Sequence, residues 1–483
     1  MYTFLIAIIL LVIGYFTYGK FVEKVFGVNE GRTTPAYVNQ DNVDYLPMNT
    51  KKNSLIQLLN IAGVGPIFGP IMGALYGPVA FLWIVFGCIF AGAVHDYLTG
   101  MISIRNRGAH LPELAGKFLG NVMKHVVNAF AVLLLVLVGT VFVSAPAELL
   151  FSLSNGWTTM GLILAAIFVY FIVATLLPVD KIIGRVYPFL GALLLISALG
   201  VGGMLVFTGA PIPELSFTNL HPDNAPIFPL LFLTISCGAL SGFHATQTPI
   251  ISRTTQNEKQ GRKIFYGMMI AEGIIAMIWA AAAMSLFNGP AGLNELLADG
   301  GPAAIVSEAS TLMLGAVGGT LAVLGVIVLP ITSGDTAFRS ARMIIADYIK
   351  LPQKKWRSRL WIALPLFAIS FVLTNVDFEL LWRYFSWANQ STAVIALWVG
   401  SMYLFIAKKN YWIAMIPGIF MTMATTTYIL NAPIGFGLPM NLSYIGAAIA
   451  TIIVTVLFFR AANKARTNEI PLEEGVNDKN NVA

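Results

Sequence analysis

Long apolar runs separated by short polar loops dominate the pattern of this chain. A membrane-spanning helix needs about 17–25 predominantly apolar residues, and runs of that length fall at thirteen places. They lie at roughly 2–22, 58–77, 79–103, 125–151, 157–178, 186–208, 226–250, 264–287, 303–331, 359–376, 380–406, 411–430 and 441–461. The pattern predicts an all-α, polytopic integral membrane protein with about thirteen transmembrane helices.

Composition agrees with this prediction. Of 483 residues, 57% are hydrophobic and 11% are charged, whereas soluble domains carry about a quarter charged residues. The run from Tyr2 to Tyr18 lacks the basic start and the cleavage site of a signal peptide, so we expect it to remain as a span. A net charge of +6 would suggest nucleic acid in a soluble protein. Here the charge follows the loops, and we expect the lipid bilayer, and no nucleic acid, as a partner.

The basic residues lie in alternate loops. Pairs such as Lys51 and Lys52 fall on one side of the predicted topology, together with every other Lys and Arg except Arg383. Cytoplasmic loops of membrane proteins carry an excess of this kind. The sequence therefore predicts that the N-terminus is outside and the C-terminus is in the cytoplasm.

The second span is unusually rich in glycine and proline. Residues 60–70 include Gly63, Gly65, Pro66 and Gly69; glycine weakens a helix, and an interior proline removes a backbone hydrogen bond. Backbone left unpaired at membrane depth is tolerated only where it is buried in protein or lines a polar cavity. We interpret these four residues as part of a broken helix at a substrate-binding site. The alternative is a glycine face for close helix packing.

The seventh span contains a second interruption, at residues 237–249. Glycines, a proline and polar side chains divide an apolar run, and the predicted substrate-binding residues are Ser241, Gly242, His244, Thr246 and Gln247. Interrupted segments at corresponding positions in two halves point to the binding site of a transporter. Freed carbonyls can hold a cation there, and helix N-termini can hold a carboxylate. As an alternative, His244 is a hydrogen-bonded packing residue.

The spacing of the two interruptions predicts an internal repeat. If spans two to six form one unit of five helices, spans seven to eleven form another, and the odd number gives the two units opposite orientation. The predicted divisions are an extra N-terminal helix at 1–22, a cytoplasmic loop at 23–57, repeats at 58–208 and 226–406, two C-terminal helices at 411–461 and a disordered cytoplasmic tail at 463–483.

Three acids within spans are candidates for proton or ion coupling, because burial of a charge is costly. They are Asp96, Glu272 and Glu308, of which the last two are predicted to lie deepest. Asp96 has an alternative as the ion-pair partner of Arg105 or Arg107. Glu272 and Glu308 have an alternative as hydrogen-bonded structural acids.

Other polar residues have simpler interpretations. Glu148 lies nearer the outer surface and is expected to be structural or to lie at an entrance. Cys88 and Cys237 are expected to be core thiols, with no disulfide framework, metal site or cofactor. Asp335 is expected to cap a helix over 336–350 and to pair with Arg339 one turn later. That helix belongs to an amphipathic segment, 332–358, predicted to lie at the cytoplasmic interface.

Several stretches resemble the carbon starvation protein A family. The matching residues are 32–37 (RTTPAY), 44–47 (DYLP), 61–66 (IAGVGP) with Gly69 and Pro70, 91–96 (AGAVHD), 241–245 (SGFHA) and 332–339 (TSGDTAFR). They follow the family order over most of residues 30–350. One departure is Ile56-Gln57-Leu58-Leu59, where many relatives have Gly-His-His-Phe.

The resemblance implies secondary transport of nutrients across the bacterial inner membrane. Peptides and pyruvate are the substrates associated with the family, and proton coupling is expected. It also implies a five-plus-five inverted repeat of the amino acid–polyamine–organocation type, with extra N- and C-terminal helices. In sodium-coupled relatives of that fold, hydroxyls contribute to a sodium site. By this analogy Thr332 and Ser333 would bind sodium together with carbonyls of Gly63–Pro66.

A secondary transporter accounts for the paired interruptions, the repeat and the buried acids together. No Walker motif is present, so direct use of ATP is not expected. No repeated filter segment suggests a channel. We therefore predict a non-enzymatic importer of small carboxylates that is coupled to protons or sodium, with pyruvate preferred and short peptides as the alternative. A membrane nutrient sensor and an intramembrane enzyme are the alternatives from other classes.

Overall fold

The computed structural model describes residues 1–41, 44–154, 156–176, 179–353, 355–467 and 470–473, without the side chains of 179–191, 194 and 329. These residues are almost entirely helical, and none of them forms a β-strand. A single bridge joins Met48 to Thr255. The all-α prediction is confirmed.

The described residues form the α-helices α1 (Tyr2–Phe16), α2 (Tyr18–Phe26), α3 (Pro35–Val38), α4 (Thr50–Ile61), α5 (Gly65–Gly73), α6 (Val79–Leu82), α7 (Ala93–Arg105), α8 (Leu111–Leu119), α9 (Asn121–Leu153), α10 (Met160–Leu176), α11 (Val179–Phe207), α12 (Phe232–Thr234), α13 (Gly242–Ser252), α14 (Gly267–Leu286), α15 (Gly289–Tyr348), α16 (Trp356–Leu373), α17 (Phe378–Ile406), α18 (Trp412–Asn431) and α19 (Met440–Thr467). Wider π turns extend α7, α12 and α14 at Trp83–Gly92, Ile227–Leu231 and Arg262–Tyr266, and 3₁₀ turns lie at Ala74–Tyr76 and Glu258–Gln260.

Each of the thirteen predicted spans overlaps at least one helix of the described chain. By length and apolarity, eight helices of the described chain could cross a membrane, or nine if α4 and α5 form one bent span. Helix α17 is long enough to cross but is less apolar, because it carries Asn389 and Gln390 near its middle, where both are buried. Polar residues inside a span point to the protein interior rather than to lipid.

The first broken helix is the pair α4 and α5, which meet at an angle of 48°. Helix α4 ends because Ala62 leaves the helical region, with φ −81° and ψ 55°. Helix α5 then begins at Gly65 with Pro66 in its first turn, where the missing N–H of proline costs nothing. The prediction of a discontinuous helix at residues 60–70 is confirmed.

The second broken helix is the pair α12 and α13. The chain leaves the helix at Ile235 (φ −91°, ψ 70°) and is extended again at Ser241 (φ −139°, ψ 125°). Between them Gly238 has φ +87°, a left-handed conformation that favours glycine. The interruption predicted at residues 237–249 is confirmed for 237–241, whereas 242–249 belong to the continuous helix α13; the break, from Ile235 to Ser241, is longer than the first.

Helix α15 differs from its predicted course. Gly301 and Gly315 have positive φ and break it into shorter helical pieces, whereas its last piece continues without interruption through Asp335 to Tyr348. The predicted helix start at Asp335 is wrong for that reason. Arg339 does pair with Asp335, at 3.4 Å. Both Arg339 and Arg342 are buried, so the prediction of an interfacial amphipathic segment is also wrong.

The loops form two faces of the molecule. We call the first the basic face. On it, Arg105 donates hydrogen bonds to the carbonyl of Gly27 (2.7 Å) and to Glu258 (2.9 Å). The second, which we call the acidic face, holds the N-terminus, since the ammonium of Met1 lies 2.7 Å from Glu214.

The C-terminal segment reaches the basic face. Helix α19 continues beyond the predicted start of a disordered tail at 463, because Phe458, Ala462 and Ala465 give it a buried stripe with helical spacing. Glu473 lies 2.6 Å from Arg32. The remainder of that predicted tail, 468–469 and 474–483, lies outside the described residues.

Candidate functional site

The two broken helices pack directly against each other. A Cβ added to Gly65 would lie 2.4 Å from Cys237 Sγ, and one added to Gly69 would lie 2.9 Å from the carbonyl oxygen of Thr234. A Cβ added to Gly63 would lie 2.7 Å from the ring of Phe142. Protein atoms fill the space beside these glycines. The structure therefore supports the alternative interpretation, in which the glycines allow close helix packing.

A buried cluster of ionisable side chains lies beside the second break. His95 Nδ1 lies 2.8 Å from Asp96 Oδ1, and His244 Nδ1 lies 2.9 Å from Asp96 Oδ2. Asp96 comes from α7, and His244 comes from the first turn of α13. All three side chains are completely buried. Asp96 thus forms neither of the ion pairs, with Arg105 or Arg107, that the sequence left open.

Glu272 of α14 completes this cluster. Its Oε2 lies 3.4 Å from His244 Nε2, and its Oε1 accepts a hydrogen bond from the backbone N–H of Gly238 at 3.2 Å. Within the described part of the chain, neither His244 Nε2 nor Glu272 Oε2 has a hydrogen-bond partner of ordinary geometry. We call Asp96, His244 and Glu272 the carboxylate–imidazole cluster.

The geometry of the cluster fixes where a proton can lie. When His244 donates Nδ1–H to Asp96, a neutral imidazole presents a bare Nε2 to Glu272. His244 Nε2 and Glu272 Oε2 lie 3.4 Å apart, and without a proton between them both would present lone pairs to each other. The cluster is therefore suited to hold one transferable proton, either on the carboxyl of Glu272 or on the imidazole of His244.

Asn389 of α17 holds the start of α13. Its Oδ1 accepts hydrogen bonds from the backbone N–H of Phe243 (2.7 Å) and from the hydroxyl of Ser241 (3.2 Å). A Cβ at Gly242 would lie 2.1 Å from the backbone oxygen of Asn389, so only glycine allows this approach. The N-terminus of α13, which was predicted to be available to a carboxylate, is thus partly occupied by a side chain.

A second, uncharged network connects the two broken helices. Gln247 donates to Gln57 Oε1 at 3.1 Å and accepts from Asn60 Nδ2 at 3.4 Å. Thr336 donates to Asn60 Oδ1 at 3.0 Å. Thr246, by contrast, donates to the carbonyl of Phe243 within its own helix. Of the two predicted binding residues, therefore, Gln247 joins the network and Thr246 does not.

The predicted sodium ligands lie close to the first break. Ser333 donates to the carbonyl of Leu59 at 3.0 Å, one turn before the break, and a sodium site that also includes the carbonyls of Gly63–Pro66 stays a prediction. Thr332 is buried next to it. Ser333 therefore faces the end of α4, whereas Thr332 lines an apolar cavity together with Leu150 and Tyr170.

Glu308 does not belong to the site. It is exposed, whereas the members of the carboxylate–imidazole cluster are completely buried. The left-handed glycines Gly301 and Gly315 on either side separate this piece of α15 from the rest of the helix. The apolar run used to place Glu308 deep in a span is therefore interrupted, so Glu308 lies outside the buried cluster and its role in coupling stays a prediction.

Several residues of the site were not predicted. Asn389, Gln57, Asn60 and Thr336 take part in it, although none was predicted from the sequence to be a site residue. One feature of the sequence did point to Asn389. An amide side chain in the middle of a long apolar helix needs a hydrogen-bond partner within the protein. The identity of that partner depends on the tertiary structure.

Three side chains of the site have the right chemistry for a metal ion. Cys237 Sγ, His244 and Glu272 offer donor atoms within 4.8 Å of one another. Cys237 is a free, buried thiol, as predicted for both cysteines. It donates to Ser241 Oγ at 3.4 Å and accepts from Asn389 Nδ2 at 3.7 Å, so its sulfur already has partners.

Two polar cavities lie on the two faces, and neither is lined by a residue of the carboxylate–imidazole cluster. On the acidic face, a cavity of about 630 Å³ is lined by Phe68 of α5 and by Leu233 and Thr234 next to the second break. On the basic face, a cavity of about 750 Å³ is lined by loop residues and by Arg253 and Asp347. Only the first of these two cavities is lined by residues of both α5 and α12.

An ion-pair network lies across the basic face. Glu258 is fully buried and accepts from Arg105 at 2.9 Å and from Arg32 at 2.6 Å. Arg105 also donates to the hydroxyl of Tyr403 at 2.9 Å. The network connects the end of α7 with the loop before α14 and with α17, and it holds these elements together on that side.

The chain matches the model of the family described as "Carbon starvation protein CstA" over residues 1–166, 159–300 and 290–428. An uncharacterized membrane protein of Haemophilus influenzae is 49% identical over 62% of this chain and 94% of its own length. The peptide transporter CstA of Campylobacter jejuni is 31% identical over 60% of this chain and 50% of its own. The pyruvate/proton symporter BtsT of Escherichia coli is 27% identical over 56% and 48%. These two matches to named transporters each span about half of that transporter.

Solved structures show the same fold at low sequence identity. MhsT in complex with L-phenylalanine is similar with a TM-score of 0.57 and 13% identity, over 85% of this chain and 99% of that one. The manganese transporter of Eremococcus coleocola is similar with a TM-score of 0.55 and 11% identity, over 89% and 98%. The predicted fold class, a polytopic transporter with a five-plus-five inverted repeat, is confirmed. The boundaries of the repeats remain predictions.

Proposed function

Since the chain belongs to the carbon starvation protein CstA family, we propose that this multi-pass membrane transporter imports small carboxylate-bearing nutrients by proton-coupled alternating access. The proposal places it in the bacterial inner membrane. Relatives named as a peptide transporter and as a pyruvate/proton symporter support this class of activity rather than catalysis or sensing.

The carboxylate–imidazole cluster is the observation that carries the proposal. His244 lies between two carboxylates, at 2.9 Å from Asp96 and 3.4 Å from Glu272. An imidazole can accept a proton on one nitrogen and release one from the other. A proton that arrives at Glu272 can therefore reach Asp96 through His244 without a new contact being formed.

The cluster is also coupled to the backbone of the second broken helix. Glu272 accepts from the N–H of Gly238, inside the break, while His244 belongs to α13. A change in the charge of Glu272 therefore acts on the middle of the break and on the first turn of α13 at once. Proton binding would in this way change the relative stability of two arrangements of α12 and α13, which is the requirement for coupled alternating access.

The proposed route runs from the acidic face to the basic face. The positive-inside distribution of Lys and Arg makes the basic face cytoplasmic, and the cavity on the acidic face ends at α5 and α12. The network of Glu258, Arg105 and Arg32 closes the opposite side. Import would require these contacts to separate while the cavity on the acidic face closes.

Sodium is the second candidate for the coupling ion. Ser333 lies beside the end of α4, where its hydroxyl meets the carbonyl of Leu59, and Thr332 is its neighbour in the chain. Oxygen atoms are the ligands that hard cations prefer. The hydroxyl of Ser333 is already bound to the carbonyl of Leu59, which favours the proton at the carboxylate–imidazole cluster.

Short peptides are the second candidate for the substrate. The sequence analysis preferred pyruvate because it is the simplest carboxylate for a site built on helix ends. However, Asn389 occupies part of the N-terminus of α13, and the cavity on the acidic face has a volume of about 630 Å³. That space is in the usual range for small-molecule sites, about 300–1,000 Å³, and it exceeds what a three-carbon acid needs.

Uptake into proteoliposomes tests the proposal. Labelled pyruvate would be supplied with and without an inward proton gradient, in the presence or absence of unlabelled dialanine and trialanine. We expect a proton gradient to drive accumulation, and inhibition by the peptides would identify them as substrates. Uptake of pyruvate or labelled peptide that responds to a sodium gradient but not to a proton gradient would contradict proton coupling.

A further inference from the structure

The cavity on the acidic face, which we call the acidic cavity, carries an excess of negative charge. Glu148, Asp223, Asp377 and Glu379 line it together with one arginine, Arg383. Arg383 lies 3.1 Å from Glu379, one helical turn away, so these two charges compensate each other. Asp223 and Asp377 remain in excess, and Glu148 adds a third acidic residue to the lining. A cavity lined by one sign of charge concentrates ligands of the opposite sign.

His221 lines the same cavity and adds no positive charge at neutral pH. Burial lowers the pKa of its imidazole, although Asp223 acts in the opposite direction. Its Nδ1 accepts a hydrogen bond from the backbone N–H of Asp223 at 3.2 Å, which requires a bare nitrogen at that position. The excess of negative charge therefore remains. A free carboxylate such as pyruvate would approach against it.

Aromatic rings form part of the wall of the acidic cavity. Phe68, Phe378 and Trp382 all line it, and the centroids of these three rings lie 5.9–6.3 Å from one another. The faces of such rings attract ammonium groups, most strongly when carboxylates and restricted water lie nearby. The wall thus combines the two features that recognise a protonated amine.

Two buried hydrogen-bond donors line the acidic cavity as well. Trp382 Nε1 and Ser386 Oγ have no partner within the described chain, although their residues are only 6% and 4% exposed. They lie one turn apart on α17. An unpaired buried donor costs about 1–3 kcal/mol, and a ligand that supplies a carbonyl or carboxylate oxygen would remove that cost.

We propose that the acidic cavity is a recognition site for zwitterionic substrates that carry a free ammonium group. The ammonium would lie among Glu148, Asp377 and the aromatic rings, and an oxygen of the same molecule would accept from Trp382 Nε1 and Ser386 Oγ. This proposal rests on the proposed transport function, because it names the class of molecule that enters by this cavity. It places amine recognition away from the carboxylate–imidazole cluster.

Equilibrium binding tests the site separately from transport. Isothermal titration of the purified full-length protein in detergent would compare dialanine, N-acetyl-dialanine and pyruvate. These probes differ in the ammonium group and in length, while each retains a carboxylate. We expect dialanine to bind at least about tenfold more tightly than the other two, which corresponds to about 1.4 kcal/mol.

Variants locate the preference within the cavity. The double variant Glu148→Gln and Asp377→Asn should lose the preference for the free amine, and asparagine still caps α17 at position 377. Glu295→Gln is the matched control, since Glu295 is an exposed acid of α15 that does not line the cavity. Ser386→Ala should weaken dialanine binding and leave the amine preference intact.

Two results would overturn this proposal. One is equal or tighter binding of N-acetyl-dialanine or pyruvate by the wild-type protein, and the other is an amine preference that survives in the double variant. Neither measurement uses an ion gradient, so proton-driven uptake of pyruvate could still succeed. If dialanine binds as expected but gradient-driven uptake fails, the proposed coupling is wrong and the recognition site remains.

Discussion

At the break between α4 and α5 the nearest neighbours are an aromatic ring and a thiol, whereas the break between α12 and α13 faces two carboxylates and an imidazole. Gly63 and Gly65 contact Phe142 and Cys237. Gly238, in the second break, donates to Glu272. Both segments are rich in glycine and proline, but of these contacts only that of the second break is to a carboxylate.

This difference suggests a division of labour between the two broken helices. The first break brings α5 close enough to pack on the second, through Gly65 and Gly69. The second break connects its backbone to a cluster that can gain or lose a proton. A discontinuous helix in a transporter is thus not by itself evidence of ligand binding, because one of the pair can serve mainly to position the other.

Loss of His244 should have the largest effect on transport. In His244→Ala the carboxylates of Asp96 and Glu272 lose the group that connects them. A positioned proton-transfer group typically contributes about 10²–10⁴-fold, so we expect proton-driven uptake to fall by at least about 100-fold. Uptake into proteoliposomes at matched protein content measures this.

Glu308→Gln is the matched control, because Glu308 is an acid of the same size predicted from the same pattern but is exposed. It should retain wild-type uptake. If both variants kept wild-type rates, or both lost uptake equally, the distinction between the buried cluster and other acids of the chain would fail.

The contrast between Glu272 and Glu308 shows what sequence patterns can predict here. Both broken helices follow from local glycine and proline content, and buried acids follow from their position in apolar runs. Whether an acid reaches the core depends on continuous helical periodicity, which Gly301 and Gly315 interrupt around Glu308. The role of Asn389 could not be predicted for a different reason, because its partners near the start of α13 are more than a hundred residues away in the chain.

Asn389→Ala should destabilise the protein strongly. It would leave the N–H of Phe243 and the hydroxyl of Ser241 without their common acceptor. Each buried donor without a partner costs about 1–3 kcal/mol, so we expect a loss of about 3 kcal/mol in the free energy of unfolding. Thermal unfolding in detergent provides the comparison.

Asn60→Ala is the matched variant at the first break. Asn60 accepts from Thr336 at 3.0 Å and makes a longer contact with Gln247 at 3.4 Å. We expect a loss of about 1 kcal/mol there. A larger loss for Asn60→Ala than for Asn389→Ala would reverse the assignment of the second break as the one held by specific polar contacts.

Gly65→Ala tests the packing role of the first break. The added Cβ would lie 2.4 Å from Cys237 Sγ and 2.6 Å from its Cβ. Overpacking of a core typically costs about 1–3 kcal/mol. We expect a decrease of this size in stability, measured by thermal unfolding.

The double variant Gly65→Ala and Cys237→Gly removes both clashing atoms. It should be more stable than the sum of the two single changes predicts, because residues in contact are not additive. Strict additivity would show that the two broken helices do not press on each other at this point.

Glu379→Gln should have the smallest effect. Its ion pair with Arg383 is exposed on both sides, and exposed pairs contribute about 0–1 kcal/mol. We expect an unchanged melting temperature. The freed Arg383 should weaken the amine preference of the acidic cavity, which titration with dialanine and N-acetyl-dialanine would detect. A large fall in stability would instead assign the acidic cavity a structural role.

Glu272→Gln provides the most direct test of proton coupling at the second break. The measurement compares two activities of the same proteoliposomes, net accumulation driven by a proton gradient and exchange of labelled for unlabelled substrate at equal pH. Exchange requires a folded protein that alternates access but no net proton movement. It therefore controls for misfolding.

We predict that Glu272→Gln retains exchange and loses gradient-driven accumulation, because glutamine keeps the acceptor for the Gly238 N–H but cannot release a proton. Accumulation at the wild-type rate in this variant would contradict the account. It would mean that the proton moves without Glu272 and that the second break, like the first, serves packing alone.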